Sequence, residues 1–187
     1  FGIFDGGITT SMHRQISELT ISNKNTKEIR NIIRTTEIIY WAIGLFIGLI
    51  IYFIAPYIAE GWLVSNKLSI QSIESVLIMS GLVILAQWPS IVYKQCLMAL
   101  KKQVSANVIY SIFISLRGIL AVIVLLTISK SIYALFLCFF IAEIIKTIVL
   151  MISVWKSIPG ESAYFDVKIL SREWKFSSRL MIISAIS

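Results

Sequence analysis

The chain has 187 residues, of which 57% are hydrophobic and 14% charged, and its formal net charge at pH 7 is +7. A soluble globular domain carries about 25% charged residues, so this composition excludes an ordinary soluble protein. The basic residues stand in short segments between apolar runs and do not mass on one soluble face. The positive charge therefore does not indicate a protein that binds nucleic acid.

Apolar runs of membrane-spanning length recur along the chain at residues 38–59, 74–99, 107–128 and 132–155. A helix rises 1.5 Å per residue, so about 20 residues cross the roughly 30 Å hydrocarbon core of a bilayer. Transmembrane β-strands would give alternating segments of about ten residues, which these continuous runs exclude. The sequence predicts an all-α, polytopic transmembrane helical bundle. About six spans are expected, four of them complete, with partial spans at residues 1–21 and after Phe176.

We expect three regions along the chain: an N-terminal helical bundle at residues 1–156 (truncated at its start), a cytoplasmic loop at 157–176, and the start of a second bundle at 177–187. The loop opens with a turn at Pro159 and Gly160, and the segment DVKILSREWKF then places apolar and basic residues on opposite helical faces. Such a segment is typical of an amphipathic helix on a membrane surface. A plain solvated linker is the alternative.

Lysine and arginine residues collect in alternate connections between the spans, as they do in cytoplasmic loops. The first connection is interpreted as a basic loop that ends before residue 38. The first, third and fifth connections hold Lys24, Lys27, Arg30, Arg34, Lys101, Lys102, Lys156, Lys168, Arg172 and Lys175, whereas the second and fourth hold Lys67 and Lys130. The odd-numbered connections are therefore predicted to be cytoplasmic.

Charged residues inside the spans are the candidates for function, because each ionised side chain at the bilayer centre costs roughly 2.5–3.5 kcal/mol. Glu143 and Lys146 lie thirteen and ten residues before Lys156, about 20 and 15 Å from the cytoplasmic border and beyond the reach of a side chain. Their spacing of three places them on one helical face, where they are predicted to pair. The pair serves either to lock helices together or to take part in transport.

Arg117 and Lys94 differ in depth. Arg117 lies near mid-span and has no carboxylate on its own helix, so we expect it to point into a solvated cavity or, alternatively, to pair with a carboxylate on another helix. Lys94 is only about 11 Å from Lys101 along a helix and can reach the border. In the first segment, Asp5 lies on one face, and Arg14 and Glu18 lie on the other with the i, i+4 spacing of an ion pair.

The opening segment, FGIFDGGITTSMHRQISEL, with the basic segment NKNTKEIRNIIRTTE after it, resembles the second transmembrane helix and following loop of a transporter family. That family is the polysaccharide flippases, within the multidrug, oligosaccharidyl-lipid and polysaccharide exporter superfamily. Its G-x-x-D-x-G start and basic helix end match Gly2, Asp5, Gly7 and Arg14, although Gly6 stands where a large apolar residue is usual. IAPYIAEGWL resembles the end of the third helix, and WPSIVYKQCLMALKKQVSANVI resembles the fourth helix, a short loop and the fifth helix. The resemblance covers the whole chain, as roughly helices two to seven.

The resemblance implies one bundle of a two-bundle flippase, a transporter and not an enzyme, in the bacterial inner membrane. It would move an undecaprenyl-pyrophosphate-linked oligosaccharide, an O-antigen or related unit, across that membrane by alternating access. Membrane lipid, the lipid-linked oligosaccharide and a glycan polymerase complex are the expected partners, with no nucleic acid, cofactor or metal. A drug or cation exporter of the same superfamily and a membrane glycan polymerase or ligase are the alternatives. The candidates to line the substrate passage are Arg117, Lys146, Glu143, Lys94 and Arg14, and those for energy coupling are Asp5 and Glu143.

Overall fold

A computed structural model describes residues 7–22, 26–61, 69–128, 131–160 and 162–171. Every regular element in these ranges is helical: α1 (Ile8–Ile21), α2 (Thr26–Gly61), α3 (Ile70–Ala99), α4 (Gln103–Ile123) and α5 (Ile132–Ser157), with a π-helical turn, Val124–Ile128, directly after α4. The prediction of an all-α protein is confirmed. The predicted final span and the start of the second bundle lie outside the described residues.

Four of these helices are long and apolar enough to cross a membrane: α2, α3, α4 with part of its π-helical turn, and α5. No more than a third of the most apolar stretch of each helix is buried inside the protein, from none in α4 to 33% in α3, so much of this apolar surface is left for contact with lipid. The chain is therefore a helical membrane protein, and each of the four predicted complete spans coincides with one of these helices.

Helix α2 begins earlier than the sequence analysis predicted. The segment interpreted as a basic loop up to residue 37 is helical from Thr26, and the whole helix has 36 residues, about 54 Å at helical rise. Its first turns bury Ile29, Ile33 and Tyr40, spaced as one face of a helix. The loop interpretation is wrong here because high hydropathy marks the part of a helix that meets lipid, whereas these turns are amphipathic.

The described residues fall into two compact units that do not follow the chain order. Unit 1 combines residues up to Tyr40 with Ile91–Asn107 and the residues from Leu150 onward. Unit 2 combines Trp41–Ser90 with Val108–Val149. Helices α2 to α5 therefore each contribute one part to each unit.

Unit 2 contains a close approach of α2 and α3. A Cβ added at Gly44 would come within 3.1 Å of the Leu85 carbonyl oxygen, and one added at Gly81 within 3.1 Å of the Ile51 side chain. Pro89 lacks the N–H that would bond the Leu85 carbonyl within α3. Gly48, one helical turn after Gly44, also lies against Leu85, so the two glycines form a small-residue surface of α2 on which α3 packs.

Unit 1 holds the chain that follows α5 against the first turns of α2. Arg30 donates to the Ile158 carbonyl, the Tyr164 N–H donates to Asn31 Oδ1 at 2.9 Å, and the Asp166 N–H donates to Thr35 Oγ1 at 3.0 Å. A helical stretch follows at residues 167–171, in which Ile169 is buried and Lys168 is exposed. The rest of the predicted amphipathic helix, including Arg172, Trp174 and Lys175, lies outside the described residues.

Candidate functional site

The candidate site in unit 2 is built on α4 and α5, which supply Arg117 and the Glu143–Lys146 pair. Glu143 and Lys146 share a face of α5 because they are three residues apart. Arg117, on α4, reaches the same carboxylate. We call Arg117, Glu143 and Lys146 the charge triad.

Each oxygen of the Glu143 carboxylate is paired with a different cation. Arg117 Nη1 donates to Oε1 at 3.0 Å, and Lys146 Nζ is paired with Oε2. The Glu143 side chain is only 4% exposed. The carboxylate therefore joins α4 to α5 and neutralises part of the positive charge of two buried or half-buried side chains.

Aromatic rings complete the surroundings of both cations. The Lys146 ammonium lies 4.9 Å from the centre of the Tyr110 ring, and the Arg117 guanidinium lies 5.0 Å from the centre of the Phe139 ring. A ring face attracts a cation, more strongly where water is excluded. Both charges are thus stabilised within apolar helices by a carboxylate and a ring.

A neighbouring hydrogen bond fixes the position of α5 at the triad. Thr147 follows Lys146 directly, is buried, and its Oγ1 donates to the Ala86 carbonyl of α3 at 2.7 Å. A hydroxyl that finds an acceptor on another helix favours helix association in a membrane. This bond holds the Glu143–Lys146 turn against α3 while Arg117 approaches from α4.

The structure confirms part of what the sequence predicts for the buried charges. The predicted Glu143–Lys146 pair is present, and Arg117 adopts the alternative arrangement, a pair with a carboxylate on another helix. Its side chain keeps 34% exposure. Three of the five residues predicted to line a substrate passage are therefore linked through the Glu143 carboxylate.

The other candidates do not belong to the triad. Arg14 and Glu18 form the predicted ion pair at 2.8 Å, with both side chains more than half exposed. Lys94 is half-buried on the part of α3 that belongs to unit 1. Asp5, a candidate for coupling, lies outside the described residues.

Unit 1 contains a second buried carboxylate that the sequence analysis missed. Glu37 Oε1 accepts from the Tyr93 hydroxyl at 2.5 Å and Glu37 Oε2 accepts from Arg34 Nη1 at 2.9 Å. The Glu37 side chain is 5% exposed, whereas that of Arg34 is 47% exposed. We call these three residues the Glu37 cluster. The i, i+3 spacing of Arg34 and Glu37 is the signal that the sequence offers for this cluster, but hydropathy alone predicts a loop at both residues.

Comparisons with known proteins found no relative of this chain. A scan against protein-family models, a search of curated proteins and a search of solved structures each gave no match to the chain.

Proposed function

We propose that this protein is a flippase that moves an undecaprenyl-pyrophosphate-linked oligosaccharide, such as an O-antigen repeat unit, across the bacterial inner membrane. The polyprenyl tail of such a substrate remains in lipid while the sugar and the pyrophosphate cross the apolar core. An anionic head group on this route needs cationic groups at depth, because isolated charge in hydrocarbon is costly.

The charge triad is the observation that carries the proposal. Two cations share one carboxylate, so the ionised triad bears a formal charge of +1 within membrane-spanning helices. Arg117 is the member with substantial exposure. A guanidinium presents a planar fork of donors that matches the geometry of phosphate oxygens, which a lysine ammonium does not.

The alternatives are less well supported by the same geometry. A drug or cation exporter needs a carboxylate that is available to its substrate, and both oxygens of Glu143 are already paired with cations. A membrane glycan polymerase or ligase would act on the same lipid-linked substrate after it has crossed, so a transport assay separates it from a flippase.

Alternating access by two helical bundles is the proposed mechanism of transport. In this mechanism Arg117 binds the pyrophosphate, and Lys146 keeps Glu143 neutralised within α5. A glycan polymerase complex on the periplasmic side is the proposed acceptor of the delivered oligosaccharide.

The test is complementation of a strain that lacks its own glycan flippase. The full-length gene is expected to restore transfer of the lipid-linked oligosaccharide to the periplasmic face, together with surface glycan. Arg117→Ala is expected to lower export about tenfold or more at matched protein levels. This is the effect expected from the loss of one hydrogen bond to a charged group. Lys27→Ala, which removes a positive charge from an exposed position on α2, is the control and is expected to retain export.

Two results would contradict the proposal. Normal export by Arg117→Ala at matched protein levels would remove this residue from the mechanism. Oligosaccharide units that reach the periplasmic face without the gene, but remain unpolymerised or unattached, would place the protein among the enzymes.

A further inference from the structure

The two cations of the charge triad are enclosed to very different extents. Lys146 is 2% exposed and lies between the Glu143 carboxylate and the Tyr110 ring. Arg117 is 34% exposed and has the Phe139 ring near its guanidinium. Arg117 is therefore the cation of the triad that has surface left for a further ligand, whereas Lys146 is enclosed by its neighbours.

The two oxygens of Glu143 are paired with cations on different helices, so Arg117 can change its partner while Lys146 stays paired. Lys146, on the same helix as Glu143, is paired with Oε2, and Arg117, on α4, donates to Oε1. If Arg117 turned away, Glu143 would still share a face of α5 with Lys146 as a neutral pair. The cost of releasing Arg117 is therefore lower than that of exposing an unneutralised carboxylate to an apolar environment.

Arg117 also has more N–H donors than its bond to Glu143 uses. A guanidinium carries five N–H groups, and within the part of the chain that the structure describes Arg117 uses one hydrogen bond, that to Glu143. The residue lies fifteen positions after Lys102 and thirteen before Lys130, near the middle of its span. A charge at that depth is not left facing hydrocarbon, so its exposed side requires a polar or anionic group.

We infer that Glu143 is an internal counter-anion, which occupies Arg117 while the site is empty and is replaced there by a phosphate-type anion. The inference rests on the proposed function, because it assigns the phosphate groups of the substrate to the same triad. Glu143 keeps Arg117 oriented and neutralised in the empty protein, and it competes with the substrate for Arg117. This competition weakens binding and favours release of the head group after it has crossed.

The first measurement is the affinity of the purified full-length protein, in lipid nanodiscs, for inorganic pyrophosphate. Glu143→Gln removes the competing charge but retains the side-chain shape, so we expect binding roughly tenfold tighter, about the effect of one hydrogen bond between charged groups. Lipid flipping by the same variant is expected to be slower, because release of the head group becomes limiting. Glu60→Gln, which removes a carboxylate from the exposed end of α2, is the matched control and is expected to leave the affinity unchanged.

A second variant keeps the test decisive if Glu143→Gln does not fold. Glu143→Asp retains the charge and stays close to Lys146 on α5, but its shorter side chain reaches less far towards Arg117 on α4. We expect an affinity for pyrophosphate between those of the wild type and Glu143→Gln. An affinity equal to or weaker than that of the wild type in the variant that folds would overturn the inference.

Two further comparisons separate this inference from the proposed function. Binding that is lost in Arg117→Ala but unaffected by changes at Glu143 would overturn the inference and leave the flippase proposal standing. The wild type and Arg117→Ala are also compared for binding of inorganic pyrophosphate and of polyprenyl pyrophosphate in the same nanodiscs. If the wild type bound neither of them more tightly than Arg117→Ala does, both the inference and the flippase proposal would be overturned. An effect of Glu143 on inorganic pyrophosphate alone would support the exchange at Arg117 but assign the site to a free anion, against the flippase proposal.

Discussion

Glu143 in unit 2 and Glu37 in unit 1 are both buried carboxylates on apolar helices, yet they are neutralised differently. Both oxygens of Glu143 are paired with cations, whereas Glu37 is bonded by one cation and one phenol. Glu143 lies thirteen residues from Lys156, and Glu37 lies one residue before the predicted apolar span of α2. Near the border a half-exposed arginine and a neutral donor suffice, whereas at depth the carboxylate is matched by more than one full charge.

The largest effect is expected when Glu143 itself is removed. Glu143→Ala takes away the carboxylate shared by Arg117 and Lys146, and breaking a buried ion pair in this way costs about 3–5 kcal/mol of the free energy of unfolding. Unfolding of the purified protein in mixed micelles by a denaturing detergent measures this difference. The double variant Glu143→Gln, Lys146→Met removes one charge of each sign and is expected to regain much of the lost stability. A cost below about 1 kcal/mol for Glu143→Ala would show that the deep carboxylate is no more critical than an exposed one.

An intermediate effect is expected in the Glu37 cluster. Tyr93→Phe leaves Glu37 Oε1 without its hydroxyl donor in a buried position, which costs about 1–3 kcal/mol. The same unfolding measurement on Tyr57→Phe, at an exposed tyrosine of α2, controls for loss of a hydroxyl as such. If the two variants lost equal stability, the bond between Tyr93 and Glu37 would not stabilise unit 1.

The smallest effect is expected from Arg34→Ala. The Arg34 side chain is 47% exposed, so solvent screens its bond to Glu37 and its removal is expected to cost less than about 1 kcal/mol. Raising the salt concentration is expected to reduce this cost further. Stability that fell as much as in Tyr93→Phe would mean that Glu37 depends on a full positive charge, as Glu143 does, and the contrast between the two clusters would fail.

The sequence predicted contacts within a helix better than contacts between helices. The pairs Glu143–Lys146 and Arg14–Glu18 follow from a spacing of three or four residues, which the helical period converts directly into proximity. Arg117 and Glu143 are 26 positions apart, and Tyr93 and Glu37 are 56 positions apart. Such partners depend on how helices pack, which spacing alone does not specify.

The extent of α2 was missed for a different reason. Hydropathy located the span at residues 38–59, but the helix starts at Thr26 and its first turns carry Lys27 and Arg34 on the exposed side. The isoleucines at 29, 32 and 33, with Tyr40, keep a helical period that was available in the sequence. A search for helical period, in addition to hydropathy, would have placed Arg34 and Glu37 on one helix and drawn attention to their pairing.

The attachment of the chain after α5 to α2 has a consequence for sequence change. Arg30, Asn31 and Thr35 bond the backbone of residues 158, 164 and 166, and not their side chains. Substitutions at the exposed Tyr164 and Phe165 therefore leave its path intact, although a proline at 164 or 166 removes an N–H that α2 requires. An insertion or deletion between Ile158 and Asp166 shifts every later N–H away from its acceptor. The segment thus tolerates substitution at its exposed positions but not a change of its length.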